Sequence, residues 1–213
     1  MANLDTMKSD LKLALLSLDR VAAGKVLSDA SGDWSPSFAA ESLVGAVLTE
    51  IGDMWEQGKV ALSQIYMSGR ICEELVDTYL PVSGRSEQEH ASIAIAVLDD
   101  YHLLGKRIVY SVLRASGFAL KDYGRKDTGE LAAHAVNDDI DVLLISTLML
   151  PSALRVKDVR AKLTEARSQA KIVVGGAPFR FDKELWKEVG ADAFGWNASD
   201  AIRIVTELSG DRK

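Results

Sequence analysis

The residues best able to do chemistry stand together in Asp100-Tyr101-His102-Leu103-Leu104-Gly105. A neutral imidazole ligates a metal through one ring nitrogen, and a carboxylate two residues earlier can accept the N–H of the other and fix the tautomer. Gly105 removes a side chain where something bulky has to approach the backbone. The apolar run Ile93–Leu98 before this stretch reads as a buried strand, and the amphipathic run 106–115 after it reads as a helix. Acid, histidine and glycine therefore share one strand-to-helix turn, and ligands of open α/β sheets bind at the carboxyl ends of the strands.

The elements that must position this turn follow from the alternation around it. Further strands are predicted at 118–123, 142–147, 172–174 and 193–196, with helices near 106–115, 128–138, 153–167, 182–189 and 199–208. Repeated βα units of this length mean a parallel sheet covered on both faces, a Rossmann-like or flavodoxin-like arrangement of five strands. The first 80 residues differ. Leu11, Leu15 and Leu18 mark one helix face, and Gly32-Asp33 breaks the pattern. Ser35-Pro36 restarts it, and Val44, Val47, Leu48, Ile51, Met54 and Trp55 form a stripe that Gly58 ends. Another helix runs from Leu62 or Ser63 to Leu80, where Pro81 stops it. The sequence thus predicts a helical bundle at 1–81, a polar linker at 82–90 and an α/β domain at 91–213.

Composition narrows the function. A net charge of −6 without a lysine- or arginine-rich block argues against a nucleic-acid or anionic-membrane surface. No apolar run approaches the roughly 20 residues that span a bilayer, and the first residues lack the basic start and apolar core of a signal peptide. The single cysteine, Cys72, excludes an internal disulfide and suits a reducing cytoplasm, with a buried structural thiol as its expected state.

Two other α/β readings fail on residues. A dinucleotide fold wants Gly-x-Gly-x-x-Gly where this turn has Asp-Asp-Tyr-His-Leu-Leu-Gly. Response-regulator receivers share adjacent acids, here Asp99 and Asp100, but need an aspartate after the third strand and a lysine after the fifth. Those places hold Ser146-Thr147 and Trp196-Asn197. Three other pieces occur in order at strand ends: Asp100-x-His102-x-x-Gly105, Ser146-Thr147-Leu148 and Gly175-Gly176. Together they resemble the signature of cobalamin-binding domains, and Gly190-Ala191-Asp192-Ala193-Phe194-Gly195 is similar to the family's entry into its last strand.

The resemblance implies roles. The cofactor's benzimidazole base would leave cobalt and lie in a slot of the protein, with His102 as lower cobalt ligand in its place. Asp100 would hold His102, and Ser152, six residues after Ser146, would extend that relay so that ligation is linked to protons. Ser146 and Leu148 would border the nucleotide tail, and Gly175 and Gly176 would give it room; Tyr101 would lie beside the ligand turn. Leu150 stands where many relatives carry threonine, which removes one hydrogen bond. His90 and His134 lack such a context.

The helical half resembles the cap of methyltransferase corrinoid proteins, through Met54-Trp55-Glu56-Gln57-Gly58 and Leu62-Ser63-Gln64-Ile65-Tyr66-Met67. Light-sensing cobalamin repressors share such a bundle but carry Trp-x9-Glu-His, where this chain has Ile65 and Tyr66 after Trp55. Trp55, Gln64 and Tyr66 are thus cap candidates, with ordinary bundle packing as the alternative for each. The resemblance implies a methyl carrier with a donor-specific methyltransferase, an acceptor methyltransferase and a reductive activator as partners. The partnerships expected exclude nucleic acid and membrane. A cobalamin sensor or storage protein is the alternative from another class.

Overall fold

A computed structural model of the chain describes residues 3–79 and 91–210. The expected linker at 82–90, and the helix stop at Leu80 and Pro81, lie outside those residues. No described helix is long and apolar enough to cross a membrane. The chain divides into two compact units, one built on its N-terminal residues together with Ser111–Phe118, the other on the remainder.

The first unit is helical. Helix α1 (Leu4–Leu16) is capped by Asn3, and α2 (Arg20–Asp33) by Asp19, whose carboxylate accepts from the Ala22 N–H at 2.9 Å. The Gly32-Asp33 break arrives one step late, because α2 runs through Asp33 and ends on an extended Trp34. Helix α3 (Pro36–Ala39), a π-helical turn (Ala40–Gly45) and α4 (Ala46–Glu56) follow without a gap. Helix α5 spans Leu62–Tyr79. Leu11, Leu15, Leu43, Val47, Ile51 and Cys72 are buried among these helices. Leu18 is not on the expected face. It sits in the turn after α1 with φ +58° and is 46% exposed, since the helix has already ended at Leu16. Gly58 closes α4 with φ +70°, its N–H donating to Trp55 O and the Lys59 N–H to Met54 O, both at 2.8 Å. That double bond is a Schellman closure, which needs a left-handed residue and favours glycine.

The second unit holds five parallel strands in the order β2-β1-β3-β4-β5: β1 (Ile93–Leu98), β2 (Lys121–Lys126), β3 (Val142–Ser146), β4 (Lys171–Gly175) and β5 (Ala193–Gly195). Every residue of β1 is buried, as a central parallel strand requires. Helix α6 (Leu104–Ala115) follows β1, α7 (Thr128–Asn137) follows β2 and α12 (Ala198–Gly210) follows β5. Helix α7 starts from a capping box between Asp127 and Glu130. Leu98, Leu131, Ile145, Val174 and Phe179 contribute to one buried cluster.

Three expectations need correction. The second strand begins three residues later than predicted, because it is an edge strand with no buried residue and Phe118-Ala119-Leu120 offered the only apolar run nearby. The helix expected at 153–167 is two pieces, α8 (Leu150–Leu154), with Pro151 in its first turn, and α9 (Val156–Glu165). The helix expected at 182–189 shortens to α11 (Leu185–Glu188), and a helix that was not expected, α10 (Ala177–Phe181), precedes it.

Candidate functional site

The strand order reverses direction of growth between β1 and β3, so the turns after these two strands flank a topological switch point, where doubly wound sheets bind ligands. Asp100, Tyr101 and His102 occupy one of those turns and Thr147, Leu148 and Met149 the other.

The turn after β1 is shaped by Asp99. Its φ is +45°, a left-handed value that costs a non-glycine residue about 1 kcal/mol. Three contacts hold it there: its N–H donates to Lys126 O at 2.9 Å, its carbonyl accepts from Ser152 Oγ at 3.0 Å, and its carboxylate pairs with Arg155 at 2.9 Å. The chain then turns Asp100 inward, where it is 2% exposed.

Asp100 is the hub of the site. Its Oδ1 accepts from the Tyr101 N–H at 2.7 Å, the His102 N–H at 3.1 Å and the His102 ring at Nδ1, 2.5 Å away. Its Oδ2 accepts from the N–H groups of Leu148 at 2.8 Å and Met149 at 3.0 Å. Burial alone would push the pKa of this carboxyl up. The hydrogen bonds from the His102 ring and from the Leu148, Met149 and His102 amides outweigh burial and hold it well below the usual carboxylate range. An ionised carboxylate only accepts, so the His102 proton sits on Nδ1 and the lone pair of the neutral ring is on Nε2. The His102 side chain is 55% exposed, leaving that nitrogen within reach of a ligand.

Ser152 corrects the expected relay. Its hydroxyl is buried beside the turn but donates to the Asp99 carbonyl, while both amides after β3 occupy the Asp100 oxygen that a relay serine would need. Ser152 therefore fixes the backbone before the hub and does not touch the carboxylate.

The glycines separate into two kinds. A methyl group at Gly176 would stand 1.8 Å from Thr147 O, and its φ is +119°, so no other residue fits there. A methyl at Gly175 would meet Gly195 O at an ordinary 3.5 Å, and one at Gly105 would meet Ser146 Oγ at 3.4 Å. Gly105 and Ser146 are thus neighbours, and Ser146 pairs in register with Gly175. The structure brings Asp100, Tyr101, His102, Gly105, Ser146, Leu148, Ser152, Gly175 and Gly176 to the carboxyl end of the sheet. Trp55 lies near the end of α4, and Gln64 and Tyr66 lie on α5, all three half-buried in the first unit. The Gln64 amide accepts from the Ala61 N–H at 2.9 Å and donates to Leu16 O at 3.3 Å.

Sequence reasoning missed several participants. Met149 acts through its backbone, which no side-chain pattern reveals. Thr147 is 3% exposed, and its hydroxyl has no partner. Arg125 covers the exposed Tyr101 ring at 4.1 Å, from the edge strand β2. The one available signal was Thr147 itself, a polar residue inside a motif at the end of a buried strand.

The donor set fits a metal-bearing macrocycle. Among the described residues no group of three or more His, Cys, Asp or Glu side chains could hold a metal ion. A single imidazole would suit a metal whose remaining positions a bound organic ring already fills. Around His102, the large side chains of Tyr101, Leu104, Leu148, Met149 and Leu150 are exposed, an apolar rim for a flat ring. The orphan Thr147 hydroxyl leaves an unmet polar group beside it, while Gly176 lets the turn after β4 close against the Thr147 carbonyl.

Fold and turn define a ligand-binding α/β domain built to present one histidine. Residues 91–204 match the family model described as the B12 binding domain, and residues 7–79 match a second model of that description. The chain belongs to the B12 binding domain family, and its cofactor is cobalamin. It is 33% identical to monomethylamine corrinoid protein 1 of Methanosarcina barkeri over 168 residues, 74% of this chain and 76% of that one. It is 28% identical to dimethylamine corrinoid protein 3 of Methanosarcina acetivorans, over 98% of this chain and 99% of the relative. The crystal structure of a cobalamin-binding protein from Desulfitobacterium hafniense superposes with a TM-score of 0.80 at 22% identity, covering 99% of this chain and 100% of that one.

Proposed function

We propose that this chain is a corrinoid protein that carries methyl groups between partner methyltransferases, with His102 Nε2 as the lower cobalt ligand. The observation that carries the reading is the Asp100–His102 pair at the switch point, in a chain aligned nearly end to end with a dimethylamine corrinoid protein. Cobalamin bound here would supply the nucleophilic cobalt for methyl transfer, with His102 to hold it.

The chain's own residues prepare the site. Asp100 keeps the His102 proton on Nδ1 and so keeps Nε2 basic and aimed outward. Ser146, Leu148, Gly105, Gly175 and Gly176 accommodate the nucleotide tail, and Tyr101, steadied by Arg125, borders the ring. We assign Trp55, Gln64 and Tyr66 to shielding of the cofactor on the resemblance of their segments to a corrinoid cap. Gln64 keeps one N–H and one carbonyl lone pair for that contact after its two bonds to the backbone.

The partners of this reading are a donor-specific methyltransferase, an acceptor methyltransferase and a reductive activator that returns oxidised cobalt to its nucleophilic state. The one cysteine, buried on α5, is compatible with a cytoplasmic setting. The test is the visible spectrum of the cobalamin-loaded protein beside that of His102→Ala, followed by reduction and incubation with methylamines and cognate methyltransferases. A spectrum that depends on His102, and methylation that depends on a partner, is the expected result. Histidine ligation without methyl exchange would place the chain among sensors or storage proteins. A spectrum unchanged by His102→Ala would remove His102 as the ligand.

A further inference from the structure

Trp196 stands one residue beyond β5 with a cation on its ring. Lys183 Nζ lies 5.1 Å from the ring centre and the Arg180 guanidinium carbon 5.7 Å. Phe194 meets the same indole edge-on at 5.3 Å, and Phe179, fully buried, packs against Phe194 at 6.3 Å, so the ring is anchored to the core. The Trp196 backbone N–H donates to Asp200 Oδ2 at 3.0 Å, which fixes the chain that carries the ring. The orientation of this aromatic is therefore built, not incidental.

The charges around it leave Lys183 uncompensated. Asp182 accepts from the Glu184 N–H at 2.9 Å, Glu184 pairs with Lys187 at 2.7 Å, and Asp200 takes Arg203 at 3.6 Å besides the Trp196 amide. Lys183 has no carboxylate partner among the described residues. Its ammonium is held over an aromatic face, which positions it without neutralising it.

Register places this cluster beside the glycine pair that the proposed function assigns to the nucleotide tail. Gly175 pairs with Gly195, so Gly176 and Trp196 are the first residues beyond the last paired residues of adjacent strands. Gly176 is the position where the backbone tolerates no side chain. The tail of cobalamin carries a single anionic group, the phosphodiester that joins the corrin side chain to the ribose.

We propose that Lys183 and Arg180, held against the Trp196 ring beside Gly176, bind the phosphodiester of the cofactor's nucleotide tail. The proposal rests on the reading of this chain as a cobalamin-binding protein. It gives the protein a means of selecting complete corrinoids over those that lack the nucleotide, independently of His102. Arg180 and Lys183 are both exposed, and a phosphate held between an ammonium and a guanidinium gains charge-assisted hydrogen bonds.

The experiment titrates wild type, R180A/K183A and W196F with cobalamin and with cobinamide, which has the same corrin but no phosphodiester, ribose or base. Binding is read from the visible absorbance at low and at high salt, and circular dichroism checks the fold. The double variant is expected to lose about tenfold in cobalamin affinity and to stay within about twofold of wild type for cobinamide. Its cobalamin affinity should also become less sensitive to salt than that of wild type. W196F, which keeps a smaller aromatic face, should fall between the two. Equal losses for both corrinoids, or no loss for either, would overturn the proposal. If cobinamide binds too weakly to titrate, the salt dependence decides, and an unchanged dependence in the double variant overturns it. Failure of wild type to bind cobalamin at all would instead strike the cofactor reading.

Discussion

Asp100 and Gln64 are both short polar side chains that grip the backbone, but one works in the α/β unit and the other in the helical unit. Asp100 joins its own turn to two amides 48 and 49 residues further along the sequence and orients the His102 ring as well. Gln64 accepts the N–H of Ala61, three residues before it, and reaches one carbonyl of a neighbouring helix. The α/β unit thus concentrates its polar interactions where strands end, so each residue there serves geometry and chemistry together. The helical unit divides its polar work: Lys12–Glu50 at 2.8 Å and Arg20–Glu74 at 2.7 Å tie helices to one another, while Gln64 serves a helix start.

The difference predicts a hierarchy of damage. Gly176→Ala stands at the top. Its added methyl would overlap the Thr147 carbonyl in a conformation only glycine adopts readily, so β3 and β4 must separate at the site. The expected cost is about 3 kcal/mol or more, with cobalamin binding lost before the fold is. Chemical denaturation and a cobalamin titration measure the two losses. Gly175→Ala, which meets only an ordinary contact, is the control and should cost less than about 1 kcal/mol.

Asp100→Asn comes next. Asparagine offers one accepting oxygen where the native site needs two, so its NH2 group must face either the Leu148 and Met149 amides or the Tyr101 and His102 donors. A loss of about 1–3 kcal/mol follows from the unpaired donors. The His102 ring also loses the anion that fixes its tautomer, so the cobalt spectrum of the variant should differ from wild type. Acid separates the two proteins further. The folded state holds Asp100 below its ordinary value of about 3.9, so this group stabilises the fold above that pH and the contribution is lost as pH falls through and below it. Wild type should therefore lose more stability than Asp100→Asn on acidification below about pH 4, in equilibrium unfolding at fixed ionic strength. Equal slopes would mean that the carboxylate is not held ionised by the fold.

The same contrast explains what the sequence disclosed. The first, third and fourth strands were legible because burial on both faces leaves unbroken apolar runs, and the chemistry was legible because Asp100, His102, Gly105, Ser146 and the glycine pair fall at their ends. The edge strand β2 was misplaced because half of its residues face outward, and with it went Arg125 and its contact to Tyr101. The second acceptor function of Asp100 was hidden, since Leu148 and Met149 contribute amides, and amides are the same in every residue. The partner of Ser152 was misjudged for a related reason: a motif specifies which serine is nearby, while the left-handed turn at Asp99 decides which oxygen it meets.

Gln64→Ala is the smallest of these effects and sharpens the comparison most. Truncation removes the acceptor for the Ala61 N–H at the start of α5 and the donor to Leu16 O. Loss of a helix-start bond of this kind costs about 0.5–2 kcal/mol. Gln64→Glu keeps an acceptor for Ala61 but places a carboxylate against the Leu16 carbonyl, so it should recover part of the stability and none of the second contact. If Gln64 serves only the helix ends, cobalamin affinity in the two variants will follow their stability. The assignment of Gln64 to shielding the cofactor requires more: a change in the cobalamin spectrum or its rate of oxidation in both variants, out of proportion to the stability each has lost. The rate of cobalt oxidation in air, set against the unfolding free energy of the same preparations, distinguishes a polar cap over the metal from a polar cap on a helix.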